Sequence, residues 1–185
     1  MRLRRIAALM MTLALLTACG GRQSGAELEA FRTSLCAAAQ TALTAEVTAR
    51  ETDAVSVYTL ECLSTPEGCA LTVRSPELIA GVEAHMTEES STLTYDGLLL
   101  GLPELTGDGL SPLTALPRIL SALREGFVET VWRQSGCLAV ELLPDDALRV
   151  TVWFDDTGVP ARAEIAAQSD GRVLISCEIT KFSME

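Results

Sequence analysis

Val150-Thr-Val-Trp-Phe-Asp-Asp-Thr-Gly-Val-Pro-Ala-Arg-Ala-Glu164 decides the fold. Val150, Val152 and Phe154 point to one side of an extended chain, and Arg149, Thr151 and Asp155 to the other. That period of two marks a strand with one buried and one wetted face. Asp156-Thr157-Gly158 has the chemistry of a tight turn and sends the chain back through Pro160–Ala167. After Ser169-Asp170-Gly171, Val173, Ile175, Cys177 and Ile179 repeat the alternation. Upstream, Gln134-Ser135-Gly136 and Pro144-Asp145-Asp146 separate two more such runs. The C-terminal third therefore predicts an up-and-down antiparallel meander over Phe127–Arg133, Cys137–Leu143, Leu148–Asp155, Pro160–Ala167 and Arg172–Phe182.

The pattern changes just before the meander. Leu113, Leu116, Leu120 and Leu123, with Ile119 beside them, share one face at helical spacing. Ser111 is a good N-cap, Pro112 suits the first helical position and Gly126 ends the run, so a helix is predicted over Pro112–Glu125. Pro117 would bend it or start it as a 3₁₀ turn. A glycine- and proline-rich loop, Pro103–Pro112, precedes it. Earlier still, short runs read as strands: Thr44–Glu51, Ala54–Leu63, Cys69–Arg74, Leu78–Met86, Thr92–Tyr95 and Leu98–Leu100. Asp96-Gly97 closes the last two as a hairpin. Leu28, Phe31 and Leu35 place a first helix over Ala26 to about Gln40. One apolar face per strand and only two helices give an α+β fold: a curved antiparallel sheet covered by an N-terminal and a central helix. Such a sheet encloses either a packed core or a cavity.

The first nineteen residues speak of location. Arg2, Arg4 and Arg5 precede an apolar run from Ile6 to Leu16, which ends Leu16-Thr-Ala-Cys19. The run is too short to span about 30 Å of hydrocarbon, which takes about 20 apolar residues. A charged start, a short apolar middle and a small residue before the cut make a secretory signal. The ending resembles the bacterial lipobox. That likeness implies a diacylglycerol on the Cys19 thiol, cleavage before Cys19, and attachment to the extracytoplasmic face of the cell membrane. Residues 1–18 are then the signal, 19–25 a flexible lipidated tether and 26–185 the body, with Gly20, Gly21, Ser24 and Gly25 supplying the flexibility.

Cleavage would leave 185 − 18 = 167 residues, enough for one domain with a real core. The signal holds three of the 14 basic residues, so the remainder has formal charge 11 − 25 = −14. A body this acidic is repelled by nucleic acid and by anionic headgroups, and membrane attachment falls to the lipid. Five further cysteines remain. Cys62 and Cys69 flank the predicted hairpin loop Leu63–Gly68. They either pair across it or sit reduced as small buried hydrophobes. Cys137 and Cys177 fall in two later strands and face the same alternatives, leaving Cys36 free. No Cys-x-x-Cys pair occurs and His85 is the single histidine, so neither a metal site nor another cofactor is expected.

Nothing in the chain reads as catalytic. Asp145-Asp146 and Asp155-Asp156 fall at predicted turns, Glu88-Glu89 on a loop, and no nucleophile motif or phosphate loop occurs. Trp132 and Trp153 either line a cavity or pack within the meander. The run Leu98-Leu-Leu100 is either a sheet edge that meets lipid or a partner, or core.

The order of lipobox, helix, strands, central helix and meander resembles the LolA/LppX-like lipoprotein superfamily, and within it lipoproteins of spore-forming Gram-positive bacteria such as the germination lipoproteins. Val150–Glu164, Asp170-Gly-Arg-Val173, Cys177-Glu-Ile-Thr-Lys-Phe182 and Leu93-Thr-Tyr-Asp-Gly-Leu98 carry the likeness. It implies a half-open antiparallel β-barrel that holds acyl chains in its hollow or binds a protein partner on its surface. The expected function is non-catalytic: binding of an envelope protein partner in sporulation or germination, with carriage of a hydrophobic ligand as the alternative. Leu98, Leu100, Leu116, Leu120, Trp132 and Trp153 are the residues expected at the cavity or partner surface.

Overall fold

A computed structural model describes residues 19–50, 54–87, 89–101 and 110–185, with the backbone alone at 19–22. The expected signal at 1–18, residues 51–53, Glu88 and most of the loop before the central helix lie outside the described residues. Helix α1 is Cys19–Ala37. Six strands follow: β1 Thr41–Arg50, β2 Val55–Thr65, β3 Gly68–Ser75, β4 Glu83–Met86, β5 Ser91–Tyr95 and β6 Leu98–Gly101. Helix α2, Pro112–Glu125, leads to β7 Phe127–Gln134, β8 Cys137–Leu143, β9 Leu148–Phe154, β10 Pro160–Ala167 and β11 Val173–Met184.

All eleven strands join one antiparallel sheet in the order β6-β5-β4-β3-β2-β1-β11-β10-β9-β8-β7. Two meanders, one from each end of the chain, meet where β1 pairs with β11. The expected half-open barrel holds as a large antiparallel sheet with two helices, and only approximately as a barrel. The sheet is open, because its two ends are β6 and β7 and these do not pair with each other.

Alternation does the sorting. On β1, Thr41, Leu43, Ala45, Val47 and Ala49 are buried while Glu46 and Arg50 are exposed. Register carries that inner face from strand to strand: Val47 beside Cys177, Cys177 beside Ala163, Ala163 beside Val152, Val152 beside Val140. These residues are fully shielded from solvent. The outer face of the C-terminal meander is charged instead. Arg149 sits 3.7 Å from Glu129 and 3.6 Å from Glu141, and Arg162 bridges Glu164 and Glu178. One dry and one wet face is the ordinary arrangement of an antiparallel sheet.

Both helices lie on the inner face. In α2, Ser111 and Thr114 form a capping box: the Thr114 N–H donates to Ser111 Oγ at 3.3 Å, and the Ser111 N–H to Thr114 Oγ1 at 2.9 Å. Pro117 is accommodated within a continuous α-helix, so no 3₁₀ start forms. Ala115, Leu116, Ile119, Leu120 and Leu123 are buried against β1, β2, β8 and β10, over the seam of the two meanders. Gly126 turns the chain from helix to strand in one step. A Cβ there would sit 2.6 Å from the Ala122 carbonyl oxygen.

Helix α1 begins at Cys19, seven residues before the expected start, so the stretch read as a flexible tether is helical. The reason is tertiary. Ser24 and Leu28 are both buried against the body, and such contacts outweigh the weak helix propensity of glycine and serine. Phe31 then meets Phe154 edge-on at 5.0 Å and Phe182 at 6.0 Å. Arg32 donates to the Gly126 carbonyl at 2.6 Å, and Glu27 pairs with Arg133 of β7 at 2.5 Å. No described helix is long and apolar enough to cross a membrane.

Candidate functional site

The expected strand at Leu78–Met86 is a 3₁₀ turn, Glu77–Ile79, followed by the short β4. Pro76 stops the preceding strand, and the chain re-enters the sheet only at Glu83. That detour brings Ile79 and Val82 to the cavity side beside Val73 of β3, whose N–H donates to the Val82 carbonyl at 2.9 Å. The β5–β6 hairpin then turns at Asp96-Gly97, both with positive φ (47° and 77°), as a two-residue turn between twisted strands requires. Its register sets Leu93 beside Leu100 and Tyr95 beside Leu98, all on the inner side, and turns Leu99 outward with Thr94.

Here α2 no longer covers the sheet. A cavity of about 460 Å³ opens between β2–β6 and the first turn of α2, lined by Tyr58, Val73, Ile79, Val82, Leu93, Tyr95, Leu98, Leu100, Ser111, Pro112 and Leu113. Among the described residues, no charged side chain lines it. Its polar side-chain groups are the two phenols and the Ser111 hydroxyl, and the Tyr95 hydroxyl donates to the Leu78 carbonyl at 3.3 Å. Leu98 is 69 % and Leu100 54 % exposed, so both stand at its mouth. The volume falls in the range of about 300–1,000 Å³ typical of small-ligand sites. The arrangement can hold an apolar molecule by contact.

Two other hollows are of a different kind. One of about 560 Å³ is lined by Thr44, Glu61, Thr72 and Lys181 together with Ala42, Leu63 and Ala70. One of about 470 Å³ lies between α1 and the turn after β9, among Glu27, Arg133, Asp155 and Asp156. Both mix charge with apolar surface.

The expected site residues separate. Leu98 and Leu100 line the cavity. Leu116 and Leu120 do not; they are 0 % and 1 % exposed and belong to the core between α2 and the sheet. Trp132 and Trp153 lie away from the cavity, on the outer face, in a row with Ala139 between them. There the Trp153 Nε1–H donates to Gln134 Oε1 at 2.9 Å, and Arg162 stands over its ring at 4.9 Å. Tyr58, Ile79, Val82, Leu93, Tyr95 and Leu113 were missed. For Leu93 and Tyr95 a signal existed, since the Asp96-Gly97 turn already sets them opposite Leu100 and Leu98.

The carboxylates serve turns. Asp145 Oδ1 accepts from the N–H of Ala147 and of Leu148, each at 2.8 Å. Asp155 Oδ1 accepts from the Val159 N–H at 3.0 Å, the Thr157 hydroxyl at 2.7 Å and the Thr157 N–H at 2.9 Å. Those bonds, the Val159 amide first, hold the Asp155 carboxyl below the usual carboxylate range. Glu141 shifts the other way. Partial burial and then the neighbouring Glu129 push it up, against the pull of Arg149. It lies on the outer face, outside the apolar cavity. His85 is exposed on β4. Among the described residues no three side chains of metal-binding type come together.

Cys62 and Cys69 are both reduced, with sulfurs 3.0 Å apart. Cys137 and Cys177 are not neighbours. β9 and β10 lie between their strands, which puts the strands three spacings, roughly 14 Å, apart. A disulfide bridges Cα atoms only up to about 7 Å apart, so of the two alternatives the bridge is excluded. The Cys19 side chain lies outside the described residues.

No family model matches the chain, and no curated protein does. Among solved structures, an uncharacterised conserved protein from Thermus thermophilus superposes with a TM-score of 0.51 at 12 % identity, over 88 % of this chain and 88 % of that one. A chain from the complex of the CwlD amidase of Clostridioides difficile with the GerS lipoprotein gives 0.48 at 17 % identity, over 85 % and 93 %. A LolA superfamily protein from Nitrosomonas europaea gives 0.45 at 11 %, over 88 % and 93 %. At such identities the likeness is one of fold. The chain shares with the Thermus protein, over most of both lengths, an overall fold that here is a large open antiparallel sheet with two helices on one face.

Proposed function

We propose that this protein is a lipid-anchored, non-catalytic lipoprotein of the LolA/LppX-like kind, which holds a hydrophobic ligand, such as an acyl chain, in the cavity under β6. The apolar cavity, with no charged residue among its described lining, carries the reading. The lipobox-like ending at Cys19 supports its place at the extracytoplasmic face of the membrane, with acyl lipid on that cysteine as its one covalent group. The turn duties of Asp145 and Asp155 support the absence of catalysis. The test is an acyl-chain fluorophore titrated into the protein. Binding should saturate, and Leu93→Asp, which puts a charge in the cavity wall, should weaken it at least about tenfold. Equal binding by the variant would contradict the site. Separately, Cys19→Ala should move the protein from the membrane fraction to the soluble extracytoplasmic fraction; continued sedimentation with membranes would contradict the anchor.

A second reading has its own observation. Leu99 is 68 % exposed and faces away from the cavity on an unpaired edge strand, so a ligand inside does not cover it. Exposed apolar residues on an open edge favour contact with another protein. The sequence resemblance supports a sporulation or germination setting for such a partner.

A further inference from the structure

We propose that Cys62 and Cys69 form a thiol–disulfide switch between β2 and β3, in which Cys69 is the reacting sulfur and Cys62 the resolving one. The register sets Ser64 opposite Cys69 and Cys62 opposite Leu71, so the two cysteines are diagonal neighbours on the inner face of one hairpin. Their sulfurs are 3.0 Å apart, and closure to the bond length of about 2.05 Å needs a shift of roughly 1 Å. The hairpin is held while this happens. A Cβ on Gly68, next to Cys69, would come within 2.5 Å of the Met86 carbonyl oxygen, so β3 is pressed closely against β4.

The two thiols are unequal. Cys62 is 2 % exposed, whereas Cys69 lines a depression of about 190 Å³ with His85, Met86 and Thr87, which gives an oxidant a way in. Arg124, in the last turn of α2, donates to Ser64 Oγ at 3.1 Å, beside Cys69 in the register. The hydrogen bond shared by the two sulfurs, and then the nearby guanidinium, pull the Cys69 thiol below its ordinary range; the same hydrogen bond, with burial, pushes Cys62 up.

The oxidant is a small disulfide or an oxidised dithiol protein, as expected of an exported chain. The Cys69 thiolate attacks one oxidant sulfur. The oxidant's S–S bond breaks and its other sulfur leaves as a thiolate. Cys62 then attacks Cys69 in the mixed disulfide, gives up its proton, and releases the second oxidant thiol. Two electrons pass from the pair to the oxidant. The bond falls where α2's cover ends, so it ties β3 and the cavity-bearing strands beyond it to the helix-packed β2. This inference does not depend on what the cavity holds.

The full chain in detergent is equilibrated in glutathione buffers of rising oxidised fraction, quenched in acid, alkylated after denaturation and mapped by mass spectrometry. The expected result is a linked Cys62–Cys69 peptide pair, lighter by two hydrogens, while Cys36, Cys137 and Cys177 stay alkylated. Retention of both thiols in oxidised glutathione alone, or pairing of either with another cysteine, would overturn the switch. The order of attack is read from single variants. Cys62→Ser should accumulate a glutathione adduct on Cys69, and Cys69→Ser should form its adduct at least tenfold more slowly; the reverse order would overturn the assignment. Should a variant fail to fold, the rate of limited alkylation in the reduced wild type decides the same point, with Cys69 expected to react first. Arg124→Gln should slow that reaction several-fold with no change at Cys36, and Arg124→Lys should restore it. Equal Cys69 rates in all three proteins would remove Arg124 from the switch.

Discussion

The two ends of the sheet are built alike and finished differently. In β8–β10, strands of seven and eight residues carry Val140, Leu142, Val150, Val152, Ala163 and Ile165, all fully shielded by α2 and its surroundings. In β4–β6 the strands have four or five residues, and Leu98, Leu99 and Leu100 stand in solvent. Both regions are antiparallel meanders with inward apolar side chains. What differs is cover. Helix α2 is 14 residues long, about 21 Å, too short to reach across eleven strands. Where it lies the apolar face becomes core, and where it stops the same kind of face becomes a cavity. Core and cavity are therefore divided along the sheet.

Paired substitutions should show the division at its sharpest. Leu120→Ala, in the covered half, should cost about 3 kcal/mol, since it removes methylenes from a packed site and leaves a void. Leu99→Ala, on the exposed edge, should change stability by less than about 0.5 kcal/mol. Urea unfolding of both variants measures this, and similar losses would mean that the edge is packed against something in the native protein. A smaller effect lies in the turn after β9. Asp155 has its folded pKa lowered, so the carboxylate adds stability above its unfolded pKa and loses it as pH falls through the folded value. Asp155→Asn should thus be less stable than wild type near neutral pH and converge with it in acid; a constant gap across that range would mean that the charge plays no part.

Much of the covered half was legible in the chain. Ser111-Pro112 and Gly126 bracket α2, and five alternating runs between Gly/Asp turns give β7–β11 almost residue for residue. These features are local, written in capping, period and turn chemistry. The open half was harder. Leu78–Met86 has no clean period, and whether Ile79 joins the sheet or hangs over it depends on how the chain leaves Pro76. The start of α1 was missed because the burial of Ser24 and Leu28 is long-range. The pairing of β1 with β11 is also long-range, whereas the separation of Cys137 from Cys177 follows from the local meander β8–β11. Trp153 could have been assigned to the outer face, since it alternates with Val152 and Phe154; aromatic character suggested a cavity wall, and parity decides otherwise.

The central claim is that the uncovered part of the inner face holds an apolar ligand. Native mass spectrometry of residues 20–185, exported without the lipobox cysteine from a lipid-containing host, tests it most directly. The account predicts a second species heavier by one lipid, which Leu93→Asp abolishes while the protein stays folded. A single species at the polypeptide mass, unchanged after incubation with lipid vesicles, would contradict it.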